Sequence, residues 1–229
     1  MKKAIFFLLA LCLFATEVSA ASFEYAVRQC KDLMRANPPK VEIAYNYGAL
    51  KLDNTKTSAE IEDIFKATHP NQKVHKINGL TTLSPYAQLE SSIKAEVVNN
   101  RLCYYPRNIR INIGYKPVVY IASDMYKNGC RFILTVRHEQ THLDIGHLSL
   151  ELFAKRLKEE FPEILETVGP EVRTRSEEVP VNEMSVQMNK TYHNQLKVLF
   201  DDFVQKLLSE NARIDSDENY RLERELCDD

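Results

Sequence analysis

The 229-residue sequence predicts an α+β fold, with a small antiparallel or mixed sheet packed on one long helix and a helical part toward the C-terminus. Three observations predict it. Short strand-like runs separated by turn residues lie between Ile93 and Ala122. Apolar residues then continue from Phe132 to Leu157, too far for a strand and long enough for a helix. A second helical stripe, Val181, Met184, Met188, Tyr192, Leu196, Leu199, Phe203 and Leu207, recurs at three-to-four spacing and defines a helix from Val181 to Leu208. With 44% hydrophobic residues the chain can bury one sizeable core, so residues 21–229 are expected to form a single domain whose helical part spans about 178–229.

The elements follow in order. Ser22 to Arg35 reads as a helix stopped by Asn37-Pro38-Pro39, and Val41 to Leu52 alternates as a strand. Ser58 to Thr68 is a helix, followed by a polar loop around His69 to Asn78 in which His69 and His75 receive no role. Ile93–Val98, Cys103–Tyr105, Ile109–Ile113 and Val118–Ala122 are strands, with turns expected at Pro106-Arg107-Asn108 and Gly114-Tyr115-Lys116-Pro117. The long helix follows, and Phe161-Pro162 and Val168-Gly169-Pro170 end the helical region. Glu171 to Val179 is a charged, solvated connection. After the Val181–Leu208 helix, Asp215 and Glu218 form a capping box for a last short helix carrying Cys227. A calcium loop does not fit there, because Tyr220 and Leu226 stand where a glycine and a glutamate are required.

Residues 1–20 read as a secretory signal: positive Met1-Lys2-Lys3, apolar Ala4 to Ala15, and the small-residue site Val18-Ser19-Ala20. The apolar run falls short of the roughly 20 residues needed to span a bilayer, and no later segment is long and apolar enough. A soluble, periplasmic or secreted protein is therefore expected. The net charge is −2, or about −3 once Lys2, Lys3 and Glu17 are removed, which argues against nucleic-acid or anionic-membrane binding. Export leaves Cys30, Cys103, Cys130 and Cys227, an even set that favours two disulfides in an oxidising compartment. Three pairings are possible. Cys103 with Cys130, bracketing a strand unit, and Cys30 with Cys227, tying the two ends, is the expected one.

The chemistry concentrates in His138-Glu139-Gln140-Thr141-His142, an H-E-x-x-H box. Residues four apart on a helix share a face, so both imidazoles can reach one zinc ion at about 2.0–2.1 Å. Glu139 stands one step round, placed to take a proton from a zinc-bound water and return it to the leaving amine. A catalytic zinc needs a third protein ligand. His193 is preferred, because it borders the apolar stripe of its helix, about 80° from the centre. His147 and Glu183 are the alternatives; His147 lies about 180° from His138 on a continuous helix, and Glu183 falls nearly opposite the stripe. Tyr192 is a candidate donor to the oxyanion of the reaction. Val118-Val119-Tyr120-Ile121, the strand before the helix, is the candidate peptide-binding edge.

Together, the strand and helix at Val41–Gly48 and Ser58–Phe65, Cys103 opening a strand pair, the box with its tail through Leu143-Asp144-Ile145, and Thr191-Tyr192-His193 cover most of residues 40–200. In these the chain resembles a bacterial family of secreted zinc-dependent proteases that is still defined only as a domain of unknown function. It departs from that family at Gln187-Met188, where a tyrosine-aspartate pair is usual, and at Asn194, where a glycine is. The resemblance implies a zincin-like fold, one zinc per chain held by His138, His142 and His193, and Glu139 as base. The expected function is a secreted zinc-dependent metallopeptidase acting on peptide or protein. The alternative is a non-catalytic binding or scaffold protein of the cell envelope on the same fold.

Overall fold

A computed structural model describes residues 22–68 and 77–227. The expected signal segment 1–20 and most of the polar loop, with His69 and His75, lie outside the described residues. The fold is α+β, with one open, mixed, five-stranded sheet. In chain order the elements are α1 (residues 22–36), β1 (Lys40–Asn46), β2 (Lys51–Asp53), α2 (Ser58–Thr68), β3 (Gly79–Val98), β4 (Arg101–Ile121), α3 (Gly129–Val168), β5 (Glu171–Thr174), α4 (Val181–Ile214) and α5 (Asp217–Glu225), with short 3-10 turns after β4 and β5. No described helix is long and apolar enough to cross a membrane.

Two strands expected in four pieces are two long ones. β3 has 20 residues and β4 has 21, and they meet in a tight hairpin at Asn99-Asn100, whose φ values of 46° and 62° suit asparagine. The turn signals at Pro106-Arg107-Asn108 and Gly114–Pro117 are instead absorbed within β4. Pro106 is buried there, and Gly114 leaves room for a crossing side chain, since a Cβ on it would stand 2.7 Å from the Tyr86 hydroxyl. The single strand expected over Val41–Leu52 divides at Gly48, at φ +71°, where its N–H donates to Asn46 Oδ1.

The chain divides into two compact units, each assembled from three separate stretches, because β1, β3, β4, α3 and α4 run through both. Among the described residues the first comprises 22–42, 89–111 and 161–195. Here α1 presents Ala26, Cys30 and Met34 at four-residue spacing to Cys103, Tyr105 and Val172. The segment expected as a solvated loop supplies β5, antiparallel to β4 with Cys103 opposite Val172, and then a turn closed by a Thr174–Glu177 capping box. Its apolar Val172 outweighs its charged neighbours. The helix end at Gly169 is as expected, with φ +63° and its N–H on Leu165 O, whereas Pro162 is carried inside α3.

The second unit comprises, of the described residues, 43–68, 77–88, 112–160 and 196–227. Ile61 of α2 packs with Ala122 and Met125, and Val119 and Ile121 of β4 pack with Leu143 of α3. Further along, Phe153 of α3 stacks on Phe203 of α4 with centroids 4.6 Å apart, and Arg156 pairs with Asp202. These contacts fix the last turns of α4 against α3. The strand Val118–Ile121 is not an edge. β2 pairs with it in parallel, Lys51 opposite Val118, while β3 pairs with β4 through the hairpin. Among the described residues β1, β2 and β3 each pair with β4 alone, so β3 offers a free edge in this unit, as do the shorter β1 and β2.

Candidate metal centre

One turn of α3 presents His138, Glu139 and His142, and all three are buried, at 7%, 4% and 7% exposure. Buried imidazoles and a carboxylate require partners. Those partners come from the end of α4 and from α5, within the same unit. Asp215 stands between the two helices. Ser216, not the expected Asp215, caps α5, accepting from the Asn219 N–H at 3.3 Å, and Glu218 pairs with Arg221. The Asp215 carboxylate is thereby left to meet the imidazoles.

Three ligand atoms form a nearly equilateral triangle. His138 Nε2 and His142 Nε2 lie 3.2 Å apart, and Asp215 Oδ1 lies 3.1 Å and 3.2 Å from them. Ligands bound at about 2.0 Å around a tetrahedral ion are roughly 3.3 Å from each other, so the triangle has the size of one tetrahedral face. The outer ring nitrogens are engaged too. His138 Nδ1–H donates to Glu223 Oε1 at 3.0 Å, and His142 Nδ1–H donates to Asn211 Oδ1 at 2.6 Å. The Asn211 amide orientation follows from its own Nδ2–H bond to Leu207 O. With both Nδ1 atoms carrying hydrogen, both neutral Nε2 atoms turn lone pairs toward each other and toward a carboxylate. Three acceptors at this spacing repel unless protons or a cation lie among them. The donor set of two imidazoles and one carboxylate, each histidine oriented by an outer partner, could hold a metal ion.

Comparison with family models, with curated proteins and with solved structures finds no match. The centre is therefore read from its own geometry.

The charge state follows from the same contacts. Burial alone would depress the His138 imidazolium, but hydrogen bonds to Asp215 and Glu223 outweigh it and raise its pKa to about 9. His142 is raised for the same reason, with burial opposed by Asp215. Burial would push Asp215 up, yet its bonds to the two histidines hold it well below the usual carboxylate range. Without a metal the site thus holds protons at neutral pH, and a metal must displace them. Zinc addition at pH 7 in weak buffer should release protons from the histidines, and that release should fall as pH rises through about 9, where His138 gives up its own proton; an indicator-dye titration measures it. Release that does not depend on pH would exclude these histidines as ligands.

Glu139 is pushed up by desolvation, opposed by the neighbouring His142, and its Oε2 has no partner among the described residues. Gly79 at the start of β3 is what admits it, for a Cβ there would lie 2.5 Å from Glu139 Oε1 and 2.7 Å from Thr135 Cγ2. Tyr220 lies against both His138 and Asp215. Its ring stacks on His138 at 5.2 Å, and its hydroxyl donates to Asp215 Oδ1 at 2.8 Å.

The remaining candidates lie elsewhere. His193 and Glu183 are exposed residues of α4 in the first unit, and the structure completes the triangle with Asp215 instead. His147 packs against the Tyr47 ring at 4.3 Å, since α3 continues unbroken through Gly146. Tyr192 is fully buried beside Phe161 in the first unit. The spacing that placed Tyr192 on the apolar stripe gave the right reason for its burial.

The cysteine pairing also differs from the expectation. The bonds are Cys30–Cys103, with Cα atoms 5.7 Å apart, and Cys130–Cys227, 5.8 Å apart. α1 packs on the start of β4 and so brings Cys30 to Cys103, while α5 returns to the start of α3. The second bond staples the end of α5, which carries Glu223 and Tyr220, to the helix that carries the histidines. Replacing both Cys130 and Cys227 with serine should remove about 4 kcal/mol of stability. It should also weaken metal binding by about 10- to 100-fold, as expected for loss of an oriented outer partner. Thermal unfolding and chelator competition measure the two effects; replacing Cys30 and Cys103 should show only the first.

Proposed function

We propose that the chain is a zinc-dependent peptidase. The observation that carries this reading is the triangle of His138, His142 and Asp215 with Glu139 beside it, buried and short of one hydrogen-bond partner. When bound there, zinc supplies Lewis acidity, lowering the pKa of a coordinated water and polarising the scissile carbonyl.

The chain's own residues supply the rest. Glu139 accepts one proton from the attacking water and delivers it to the amide nitrogen as the C–N bond breaks, so one water is consumed and the carboxylate is regenerated. Desolvation, by raising its pKa, makes it a stronger base than an exposed glutamate. Glu223 and Asn211 hold the two imidazoles in the tautomer that turns Nε2 inward. A peptide in extended form can pair with the free edge of β3, whose first residue touches Glu139 and whose Thr81 hydroxyl donates to the Glu139 backbone carbonyl. This edge takes the role that the sequence reading gave to Val118–Ile121. The two disulfides suit an exported protein.

The test is elemental analysis of purified protein together with hydrolysis of a mixed fluorogenic peptide set. One zinc per chain, with hydrolysis lost to a chelator and restored by zinc, is expected. A folded protein that takes up no zinc would sink the reading.

A further inference from the structure

We propose that Tyr220 of α5 is the hydrogen-bond donor to the oxyanion formed during peptide hydrolysis. This rests on the peptidase reading. When water adds to the scissile carbonyl carbon, the carbonyl oxygen becomes anionic and needs a positioned donor. Three hydroxyls close to the box are already committed to backbone carbonyls: Thr81 to Glu139, Thr135 to Arg131 and Thr141 to Arg137. Tyr220 differs. Its hydroxyl lies 2.8 Å from Asp215 Oδ1, an atom of the metal triangle, and its ring is held by stacking on His138. The phenol is thus beside the metal triangle on a fixed ring, and rotation of its O–H is enough to move the hydrogen bond from Asp215 to a neighbouring oxyanion. The proton stays on the phenol, and no bond other than the hydrogen bond is exchanged. The staple at Cys130–Cys227 holds α5 in the position this requires.

Tyr220→Phe keeps the ring and its stacking and removes only the hydroxyl, so the variant should fold. Two small probes separate a donor from a prop. N-phosphoryl-leucinamide carries a tetrahedral anion resembling the oxyanion, and acetohydroxamate is a planar metal-binding anion. On protein saturated with zinc, the substitution should weaken the phosphoramidate about 100-fold, with kcat falling by a similar factor and KM little changed. Acetohydroxamate affinity should be unaltered. Equal weakening of both probes would mean that Tyr220 only props Asp215 and would overturn the proposal, as would no change in either. A wild-type protein that binds acetohydroxamate but neither binds the phosphoramidate nor cleaves peptides would show that the peptidase reading itself has failed, and the role of Tyr220 with it.

Discussion

Asp215→Ala should leave the protein folded and unable to retain zinc through dialysis, with affinity reduced by well over the roughly 100-fold that loss of an outer partner produces. His193→Ala should keep one zinc per chain. The contrast follows from position. Asp215 Oδ1 is within 3.2 Å of both inward imidazole nitrogens, whereas His193 is exposed on the part of α4 that belongs to the other unit. Removing Asp215 also removes the carboxylate that keeps the two histidines protonated, so proton release on adding zinc should fall as well. Zinc content by elemental analysis decides it. Zinc retained in Asp215→Ala and lost in His193→Ala would return the third ligand to α4.

Glu139→Gln should retain zinc and lose hydrolysis by about 100- to 10,000-fold, the contribution expected of a positioned general base. A second readout comes from stability. Desolvation raises the Glu139 pKa above its unfolded value. A group shifted in that direction favours the fold most below its unfolded pKa, and this contribution is lost as pH rises through the folded pKa. The metal-free wild type should therefore lose stability relative to Glu139→Gln as pH rises above about 4.5. Thermal unfolding across pH measures that difference. Full activity in Glu139→Gln would remove the proposed mechanism. Zinc retained in a wild type inactive toward every peptide would instead favour a binding or scaffold protein.

Much of the centre was legible as sequence because the box is local. A four-residue separation on a helix fixes which side chains share a face, and no knowledge of the rest of the chain is needed to place His138 beside His142. The apolar stripe of α4 was legible for the same reason, and Met184, Met188, Leu196, Phe203 and Leu207 are buried as it requires. Asp215 was visible only as a plausible helix cap. Its neighbour Ser216 is an equally good cap, and sequence offers no way to choose between them. Asn211, Tyr220 and Glu223 gave no signal, since an amide, a phenol and a carboxylate on polar helix faces are ordinary surface residues until an imidazole is placed against them.

Long-range pairing was hidden in a similar way. Pro106 and Gly114 are strong local turn signals, yet β4 runs through both, with β1, β2, β3 and β5 all pairing with it. By itself the sequence determined the α+β class, the helix that carries the box, and the even set of cysteines outside the expected signal. All of these depend on periodicity, composition or spacing within a few turns. Only the tertiary structure decided which cysteines bond, which strand offers an edge, and which residue completes the triangle. Each of those depends on contacts between residues far apart in the chain, such as Cys30 and Cys103 at a separation of 73 and Cys130 and Cys227 at a separation of 97.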